Sequence, residues 1–376
     1  MKIVIVGSGF FGSVLAERIT SILKIPVTVI EKREHIGGNC YSKIDPDTKI
    51  EYHAYGPHIF HTSNETVWNY INNFTEFTSY KHQVLSTHNG KVYQMPVNLE
   101  TINSFYNLNL KPYEVETFLQ REISKEANLD LTNFEDYTIS KIGRPLYNAF
   151  IKGYTHKQWN LDPKEMPASI AMRLPYRSNY EESYYHSKWQ GMPTKGYTAI
   201  FKKLLSNKQI ELKLNTDFFD IRDQFNDVDL LIYSGPIDRF FDYKHGKLDW
   251  RTLYFEHQIM DVDDFQGTAQ MNFADLDIPY TRIIEPKHFH PEREQISDKT
   301  LIIKEFSKLD DGSNPYYPIN NVKNQELIIK YKEMAKAEKN LIIAGRLGDY
   351  KYYDMHQTIA SALLAFEDIK KRFESI

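Results

Sequence analysis

The chain has 376 residues, with 46 Lys and Arg, 50 Asp and Glu, and a formal net charge of −4. This length accommodates about two or three domains with a buried core, and the absence of a long basic run argues against a nucleic-acid-binding surface. The single cysteine, Cys40, excludes a disulfide within the chain and a cysteine-based metal cluster.

The first thirty residues predict a strand, a glycine turn, a helix and a second strand. Residues 2–6 (KIVIV) carry a continuous run of β-branched side chains from Ile3 to Val6, typical of a parallel strand buried on both faces. The run ends at GSGFFG (7–12), a G-x-G-x-x-G spacing, which is followed by a predicted helix at 11–23 and a strand at 27–30. This order is typical of a dinucleotide-binding fold.

Each glycine of the turn has a distinct predicted role. Gly7 permits the tight turn, Gly9 lets the backbone approach a pyrophosphate, and Gly12 lets the helix pack close to the strand. Glu31 lies about 20 residues beyond the glycines, where an acidic residue binds a ribose hydroxyl pair.

A second glycine pair, IGGN (36–39), follows the acidic strand end and selects the dinucleotide. It resembles the FAD-binding signature of flavoprotein oxidases and amine-oxidase-like proteins, which favours FAD over NAD. The first predicted strand leaves no room for a signal peptide, and no apolar run approaches the roughly 18 residues of a membrane helix. We therefore expect a cytoplasmic protein that does not insert into membranes.

The following segments predict a helical part and a sheet part inserted into the nucleotide-binding fold. His58 and His61 follow a Gly-Pro break that predicts a loop, so we predict no metal site there and consider a polar lining of the flavin site or ordinary core and surface positions. Asn89-Gly90 predicts a hairpin. Helices are predicted at 65–74, 99–106, 113–126, 134–159 (broken at 143–145), 198–205 and 356–373; strands are predicted at 210–214, 229–233, 251–259, 267–273, 281–285, 301–306 and 340–344.

The predicted fold class is α/β: a Rossmann-like FAD-binding domain with an inserted helical domain and an antiparallel-sheet domain. The FAD-binding domain is expected to comprise residues 1–78, 191–250 and 318–376, and the helical domain residues 97–165. Residues 79–96, 166–190 and 251–317 are expected to form the substrate domain. Asp354 is a suitable N-cap for the last helix, whose first amide, at Met355, would face the pyrimidine side of the flavin.

Six blocks of sequence, taken in chain order, resemble prokaryotic UDP-galactopyranose mutases. They are GPHIFHT (56–62), KGYT with KQW (152–155 and 157–159), RLP (173–175), PYTR (279–282), PYYP (315–318) and GRLGDYKYYDMH (345–356). The resemblance implies a homodimeric isomerase that interconverts UDP-galactopyranose and UDP-galactofuranose for cell-surface polysaccharide. It further implies that N5 of reduced FAD attacks the anomeric C1 of the sugar.

The resemblance also assigns roles to individual residues. It places Arg173 and Arg282 on the two catalytic arginines that clamp the diphosphate, and His61 beside the flavin. Pro167 and Pro175 bracket the segment of Arg173, so we expect this loop to close over a UDP-sugar. The remaining substrate-binding residues are Phe150, Thr155, Trp159, Tyr184, Asn272, Tyr317, Tyr352 and His82; the cofactor-binding residues are Gly7, Gly9, Phe10, Phe11, Gly12, Glu31, Lys32, Arg33, Gly38, Asn39, Gly56, His58, Ile59, Arg346, Asp354 and Met355.

Two other functional classes share the predicted cofactor site. An FAD-dependent, amine-oxidase-like oxidoreductase would have an apolar substrate tunnel, and a flavin-binding regulatory protein would have no turnover. Two arginines and several tyrosines near the flavin favour an anionic, phosphorylated substrate. The sequence leaves open whether the sugar carries an N-acetyl group, although His58 favours plain galactose.

Overall fold

The computed structural model describes residues 1–294 and 297–374. The strands are β1 (Ile3–Val6), β2 (Val27–Ile30), β3 (Ser42–Ile44), β4 (Glu51–His53), β5 (Phe60–Thr62), β6 (Val84–His88), β7 (Lys91–Met95), β8 (Trp189–Gly191), β9 (Ile210–Lys213), β10 (Leu230–Tyr233), β11 (Trp250–Met260), β12 (Gln270–Phe273), β13 (Arg282–Ile284), β14 (Thr300–Leu309), β15 (Tyr317–Pro318) and β16 (Leu341–Ile343). The helices are α1 (Phe10–Arg18), α2 (Glu65–Ile71), α3 (Leu99–Tyr106), α4 (Pro112–Ile123), α5 (Phe134–Leu146), α6 (Gly153–Trp159), α7 (Ala168–Ala171), α8 (Tyr197–Leu204), α9 (Ile237–Phe240), α10 (Val322–Ala337), α11 (Gly345–Gly348) and α12 (Met355–Glu374).

A parallel sheet in the order β16-β10-β1-β2-β9 forms the nucleotide-binding half of the fold. Its central strand is buried from Ile3 to Ile5, because β-branched side chains on both faces pack against covering layers. On one face α1 packs against α12, whose Ile359, Phe366 and Ile369 are buried. Strands from the beginning, middle and end of the chain thus meet in one sheet, which confirms the Rossmann-like prediction.

A second sheet has the order β15-β11-β14-β13-β12-β6-β7. Its neighbouring strands are antiparallel except for β12 and β6, which are parallel. The predicted antiparallel-sheet domain is confirmed, with one parallel pairing where the β6–β7 hairpin, from an earlier part of the chain, adds to the edge of β12. The hairpin itself is confirmed, with Asn89 and Gly90 both at positive φ.

The helices α3 to α6 pack around their own apolar core, which includes Leu99, Ile139, Leu146 and Phe150. The helix predicted at 134–159 is interrupted twice. Gly143 has φ +77 within α5, and residues Tyr147–Lys152 form a π-helical segment before α6. Across the described ranges, every helix is too short or too polar to span a membrane.

We expect Gly12→Ala to lower the free energy of unfolding of the cofactor-free protein by about 1–3 kcal/mol. A Cβ atom at this position would overlap the carbonyl oxygen of Gly7 and press against Ile5. Gly9→Ala is the matched control, since Gly9 has φ −71 and its added Cβ would lie 4.0 Å from the Cα of Gly38. Urea unfolding measures both variants, and equal destabilisation by the two substitutions would contradict the packing role of Gly12.

Candidate active site

A cavity of about 690 Å³ lies where the carboxyl ends of β1, β2 and β10 face the second sheet and α6. The structure brings the predicted site residues together there, apart from Gly12, which packs against Gly7 beneath the turn. The lining includes Gly7, Gly9, Phe10, Phe11, Glu31, Lys32, Arg33, Gly38, Asn39, Gly56, His58, Ile59, His61, His82, Phe150, Thr155, Trp159, Arg173, Tyr184, Asn272, Arg282, Tyr317, Arg346, Tyr352, Asp354 and Met355.

The two glycine turns contact each other at the floor of the cavity. The N–H of Gly37 donates to the carbonyl of Ser8 at 3.0 Å. A Cβ at Gly38 would approach the Cα of Gly9 to 3.2 Å, and Gly38 has a positive φ. These glycines leave a groove lined by backbone at the start of α1, where helix N–H groups bind a diphosphate. The groove fits a dinucleotide cofactor.

Glu31 joins the end of β2 to the first glycine turn. Its Oε2 atom accepts from the N–H and the hydroxyl of Ser8 at 3.0 and 2.8 Å, and its Oε1 atom accepts from the N–H of Arg33 at 3.0 Å. Because a carboxylate oxygen can accept more than one hydrogen bond, Oε1 has capacity for a ribose hydroxyl. Glu31 therefore shapes the turn as well as facing the cofactor groove.

The far end of this groove contains residues that the sequence did not reveal. The guanidinium of Arg239 bonds Asp217 at 2.8 Å and lies 4.6 Å from the ring centroid of Phe219. All three line the cavity beyond Glu31, where the base of a dinucleotide would lie. No local motif marks them, because Asp217 follows β9 whereas Arg239 lies in α9, after β10.

The opposite end of the groove carries histidines that burial keeps neutral. His58 bonds the carbonyl of Gly56 through Nδ1 at 2.7 Å, so this nitrogen carries the proton. Burial lowers the pKa of His58 to about 4. His61 stacks on Tyr185 with ring centroids 3.8 Å apart, and burial lowers its pKa to about 4, although Asp354 acts in the opposite direction.

Arg282 brings a buried positive charge to the cavity from β13. Its guanidinium forms an ion pair with Glu305 at 2.7 Å and donates to the side-chain oxygen of Gln270 at 3.3 Å. Within the described part of the chain, the Nε atom of Arg282 has no hydrogen-bond partner. A buried donor without a partner favours an acceptor from a ligand, because leaving it unpaired is costly.

Arg173 approaches the cavity from a more exposed segment after α7. Its guanidinium lies 4.2 Å from the ring centroid of Tyr352 and 3.5 Å from the carboxylate of Asp354. Arg346 lies 5.2 Å from the ring centroid of Tyr317. Guanidinium groups and phenols therefore gather at one end of the cavity, an arrangement that suits a phosphorylated anion.

Aromatic side chains line the cavity next to these cations. Trp159, at the end of α6, lies with its ring centroid 6.2 Å from that of Tyr317. Phe150 is buried against Tyr93, edge to face, at 4.9 Å between ring centroids. The N–H of Tyr184 donates to the carbonyl of His82 at 2.9 Å. These flat surfaces can hold a nucleobase and its ribose.

Asp354 directly precedes α12, and its side chain also contacts other residues of the cavity. Its backbone N–H donates a hydrogen bond to Oε1 of Gln357 at 2.8 Å, which closes the helix start, while its carboxylate faces Arg173 and His61. Side-chain atoms of His61, Asp354 and His356 lie within 4.8 Å of one another. The adjacent guanidinium of Arg173 adds positive charge to this group, which disfavours a metal cation.

Several cavity residues were missed although they stand beside predicted ones. Tyr154 lies in the KGYT block and Tyr185 next to Tyr184, and Gln270 lies two residues before Asn272 on β12. The alternation of β12 could have identified Gln270, since residues two apart on a strand point to the same face. Tyr185 could have been inferred only from its stacking on His61, which is a tertiary contact.

Comparisons with known proteins agree with this geometry. A profile of the UDP-galactopyranose mutase family matches residues 149–352, and one described as an NAD(P)-binding Rossmann-like domain matches residues 5–74. A Klebsiella pneumoniae protein named as a probable UDP-galactopyranose mutase is 42% identical over 363 residues, covering 96% of this chain and 93% of the relative. An Escherichia coli dTDP-fucopyranose mutase is 40% identical over 370 residues, covering 96% of both chains.

A solved structure shares the fold over nearly the whole length. It is described as a crystal structure of reduced UDP-galactopyranose mutase, with a TM-score of 0.77 and 14% sequence identity. The alignment covers 98% of this chain and 94% of that structure.

The histidines of the cavity predict a loss of stability in mild acid. Burial lowers the pKa of His82 to about 3, and of His58 and His61 to about 4, whereas an unfolded chain binds these protons near pH 6.5. The unfolded state therefore binds more protons than the folded state below pH 6.5. The free energy of unfolding should fall as pH drops from about 6.5 to 4, by up to about 1.4 kcal/mol per pH unit for each histidine.

Substituting one of these histidines measures its contribution to the pH dependence of the free energy of unfolding. His82→Gln should make unfolding in urea less pH-dependent between about pH 6.5 and 5, a window above most carboxylate titration. His156→Gln, on the exposed surface of α6, is the control and should leave the slope unchanged. An unaltered slope in His82→Gln would contradict the burial argument.

Proposed function

The chain belongs to the UDP-galactopyranose mutase family, and on that premise we propose that it interconverts UDP-galactopyranose and UDP-galactofuranose. The observation that carries the proposal is the position of Arg282 and Arg173 beside Tyr317 and Tyr352 at the end of the cofactor groove. A diphosphate bears about two negative charges, and guanidinium forks match its oxygens.

We propose FAD, active in its reduced form, as the cofactor. The contacting glycine turns, the free capacity of Glu31 and the start of α12 at Met355 support an FAD dinucleotide with its ring near His58. When bound, reduced FAD supplies a nucleophilic nitrogen, N5, for the anomeric carbon. The amide end of α12 favours negative charge on the reduced ring.

The arginines of this chain act on the leaving group. Arg282 is held by the carboxylate of Glu305 and lines the cavity with a side chain that is 15% exposed, so its guanidinium is already in place for the diphosphate. Arg173 must leave Asp354 to reach the same ligand. We propose that closure of its loop brings this second guanidinium to the diphosphate and excludes water. Tyr317 and Tyr352 donate hydrogen bonds to the phosphates.

The nucleoside is assigned to the aromatic part of the cavity. Trp159 packs beside the uracil, Phe150 and Thr155 lie along the uridine, and Tyr184 contacts the nucleotide. Asn272, on the strand next to Arg282, and His82 supply polar contacts. This division leaves the sugar above the flavin position, with its anomeric carbon nearest the cofactor.

His61 forms the polar wall beside the flavin position. Its Nδ1 lies 2.9 Å from the hydroxyl of Ser187 and its Nε2 lies 4.0 Å from the carboxylate of Asp354. A neutral imidazole between a hydroxyl and a carboxylate can hold a proton at either nitrogen. We assign to His61 the positioning of a sugar hydroxyl while the ring opens and recloses.

The relatives suggest a second candidate substrate. The Escherichia coli protein is named for dTDP-fucopyranose, which differs in its base, its ribose and its sugar C6. Arg173 and Arg282 would bind the diphosphate of either ligand, so turnover assays with each ligand are needed to distinguish the two substrates. An amine substrate is disfavoured, because the guanidinium groups would repel a cation.

The remaining assignments follow from the family. We propose a cytoplasmic homodimer that supplies galactofuranose for cell-surface polysaccharide and does not bind nucleic acid. The three-domain division at the predicted boundaries is part of this proposal.

The direct test is turnover by the purified yellow protein, with and without dithionite. We expect the protein to convert UDP-galactofuranose to UDP-galactopyranose, and to do so much faster when the flavin is reduced. Chromatography of the two nucleotide sugars measures the conversion. dTDP-fucofuranose is assayed in parallel. Preference for the thymidine ligand would transfer the proposal to that substrate, and equal activity of oxidised and reduced protein would refute the role of reduced FAD.

Arg173→Ala is expected to lower turnover by roughly 10²- to 10³-fold, because it removes one charged donor from the leaving diphosphate. The flavin absorption spectrum should stay unchanged. Arg177→Ala, four residues along the same segment and outside the cavity lining, is the matched control and should retain activity. Near-normal turnover by Arg173→Ala would remove this residue from the mechanism.

A further inference from the structure

The side-chain amine of Lys157 lies inside the turn that joins β12 to β13. Its Nζ atom lies 2.7 Å from the carbonyl oxygen of Phe273, 2.8 Å from that of Asp275, 2.9 Å from that of Ile278 and 3.1 Å from that of Tyr280. An ammonium has three N–H donors, so four acceptors share them. The turn is folded around this one cation, which comes from α6.

The charge is required for the shape of this turn. Four carbonyl oxygens that point at one spot repel one another and lose water, so without a cation the turn would open. Burial lowers the pKa of Lys157 to about 8, while Asp275 and Asp277 act in the opposite direction, so the amine is charged at neutral pH. Its contacts are charge-assisted hydrogen bonds, which are stronger than neutral ones.

The β6–β7 hairpin and the start of α6 also hold this turn in place. The carboxylate of Asp275 lies 2.7 Å from Nδ1 of His88 and accepts from the N–H of Asn89 at 3.0 Å, both in the β6–β7 hairpin. Gly153, at the start of α6, packs so closely that an added Cβ would overlap the carbonyl oxygen of Ala274. The turn and α6 are therefore in close contact at two points, the Lys157 amine and Gly153.

Both partners of this contact carry residues assigned to the ligand. The turn follows β12, which carries Asn272, and leads to Arg282 at the start of β13; these two residues are cross-strand partners. Lys157 itself lies two residues after Thr155 and two before Trp159 on α6. The amine of Lys157 thus links the side of the cavity that faces the diphosphate to the side that faces the nucleoside.

We propose that Lys157 is a positioning residue that sets the distance between Arg282 and Trp159, so that one nucleoside diphosphate engages both. Lys157 does not line the cavity and acts through the turn and α6. The inference rests on the proposed function, because it takes a nucleoside diphosphate sugar as the ligand. A displacement of about 1 Å between the two groups would cost up to about 10²-fold in turnover.

The test is the affinity for UDP of Lys157→Met, which keeps the apolar stem and removes the charge. Lys152→Met, exposed on the preceding turn of the same helical region, is the matched control. Titration calorimetry is performed well below the melting temperature of each flavin-loaded variant. We expect the dissociation constant for UDP to rise by about 10- to 100-fold in Lys157→Met, with flavin content unchanged, and to be unchanged in Lys152→Met.

A merely structural role would lower the melting temperature and leave UDP affinity of the folded variant within about twofold of the wild type, which would overturn the proposal. Gly153→Ala displaces the same turn without removing the charge, and alanine is favourable within a helix. It therefore provides a second measurement of UDP affinity if Lys157→Met does not fold. We expect it also to weaken UDP binding, and unchanged affinity in Gly153→Ala would equally overturn the proposal.

The two proposals fail in different ways. Wild-type protein that binds UDP but does not turn over UDP-galactofuranose would refute the proposed function and leave the role of Lys157 measurable. Normal turnover by the wild type with unaffected UDP binding in both variants would refute only the role of Lys157. Failure of the wild type to bind UDP would overturn both.

Discussion

The contact between the two glycine turns is the constraint on which the cavity depends. Gly9 and Gly38 meet without side chains, and Gly12 packs directly on the backbone of Gly7. Glu31 holds this arrangement by accepting from Ser8 and from the N–H of Arg33. Because a larger residue at Gly12 or Gly38 would displace this backbone, the start of α1 and the end of β2 are fixed relative to each other, and the cofactor groove lies between them.

The cavity carries an excess of positive charge at the end where the diphosphate is proposed to bind. Of the arginines that line the cavity, Arg173, Arg282 and Arg346 lie at the end with the phenols, and Glu305 and Asp354 balance only part of their charge. Arg282 is held in place before any ligand arrives, whereas Arg173 is half exposed and paired with Asp354. A preorganised cation combined with a movable one fits an enzyme that must both bind and release a diphosphate.

Local sequence patterns predicted those parts of the fold that local forces determine. The strands β1 and β2 are continuous β-branched runs flanked by glycine or charge, and the β6–β7 hairpin depends on Asn89-Gly90. The ligand-binding residues that were predicted from the resemblance of the sequence blocks line one cavity. The parallel pairing of β6 with β12 and the π-helical segment Tyr147–Lys152 leave no such local mark, because they depend on packing between distant segments.

Lys157 illustrates the same limit for the site. It belongs to the KQW block, but nothing near it in the sequence shows its role, because its partners begin 116 residues later. Arg239 and Asp217 are likewise brought together only by the parallel sheet. The residues that contact a ligand directly can be recognised from motifs, whereas those that set the distances between them become visible only in three dimensions.

The central claim is that one ligand spans the cavity from Trp159 to the flavin, with its diphosphate between the two arginines. A crystal structure of the reduced, flavin-loaded protein with UDP-galactopyranose tests this most directly. We expect uracil against Trp159, the diphosphate within hydrogen-bond distance of Arg173 and Arg282, and the anomeric carbon over the flavin. A diphosphate bound away from Arg282, or a sugar turned away from the flavin, would contradict it.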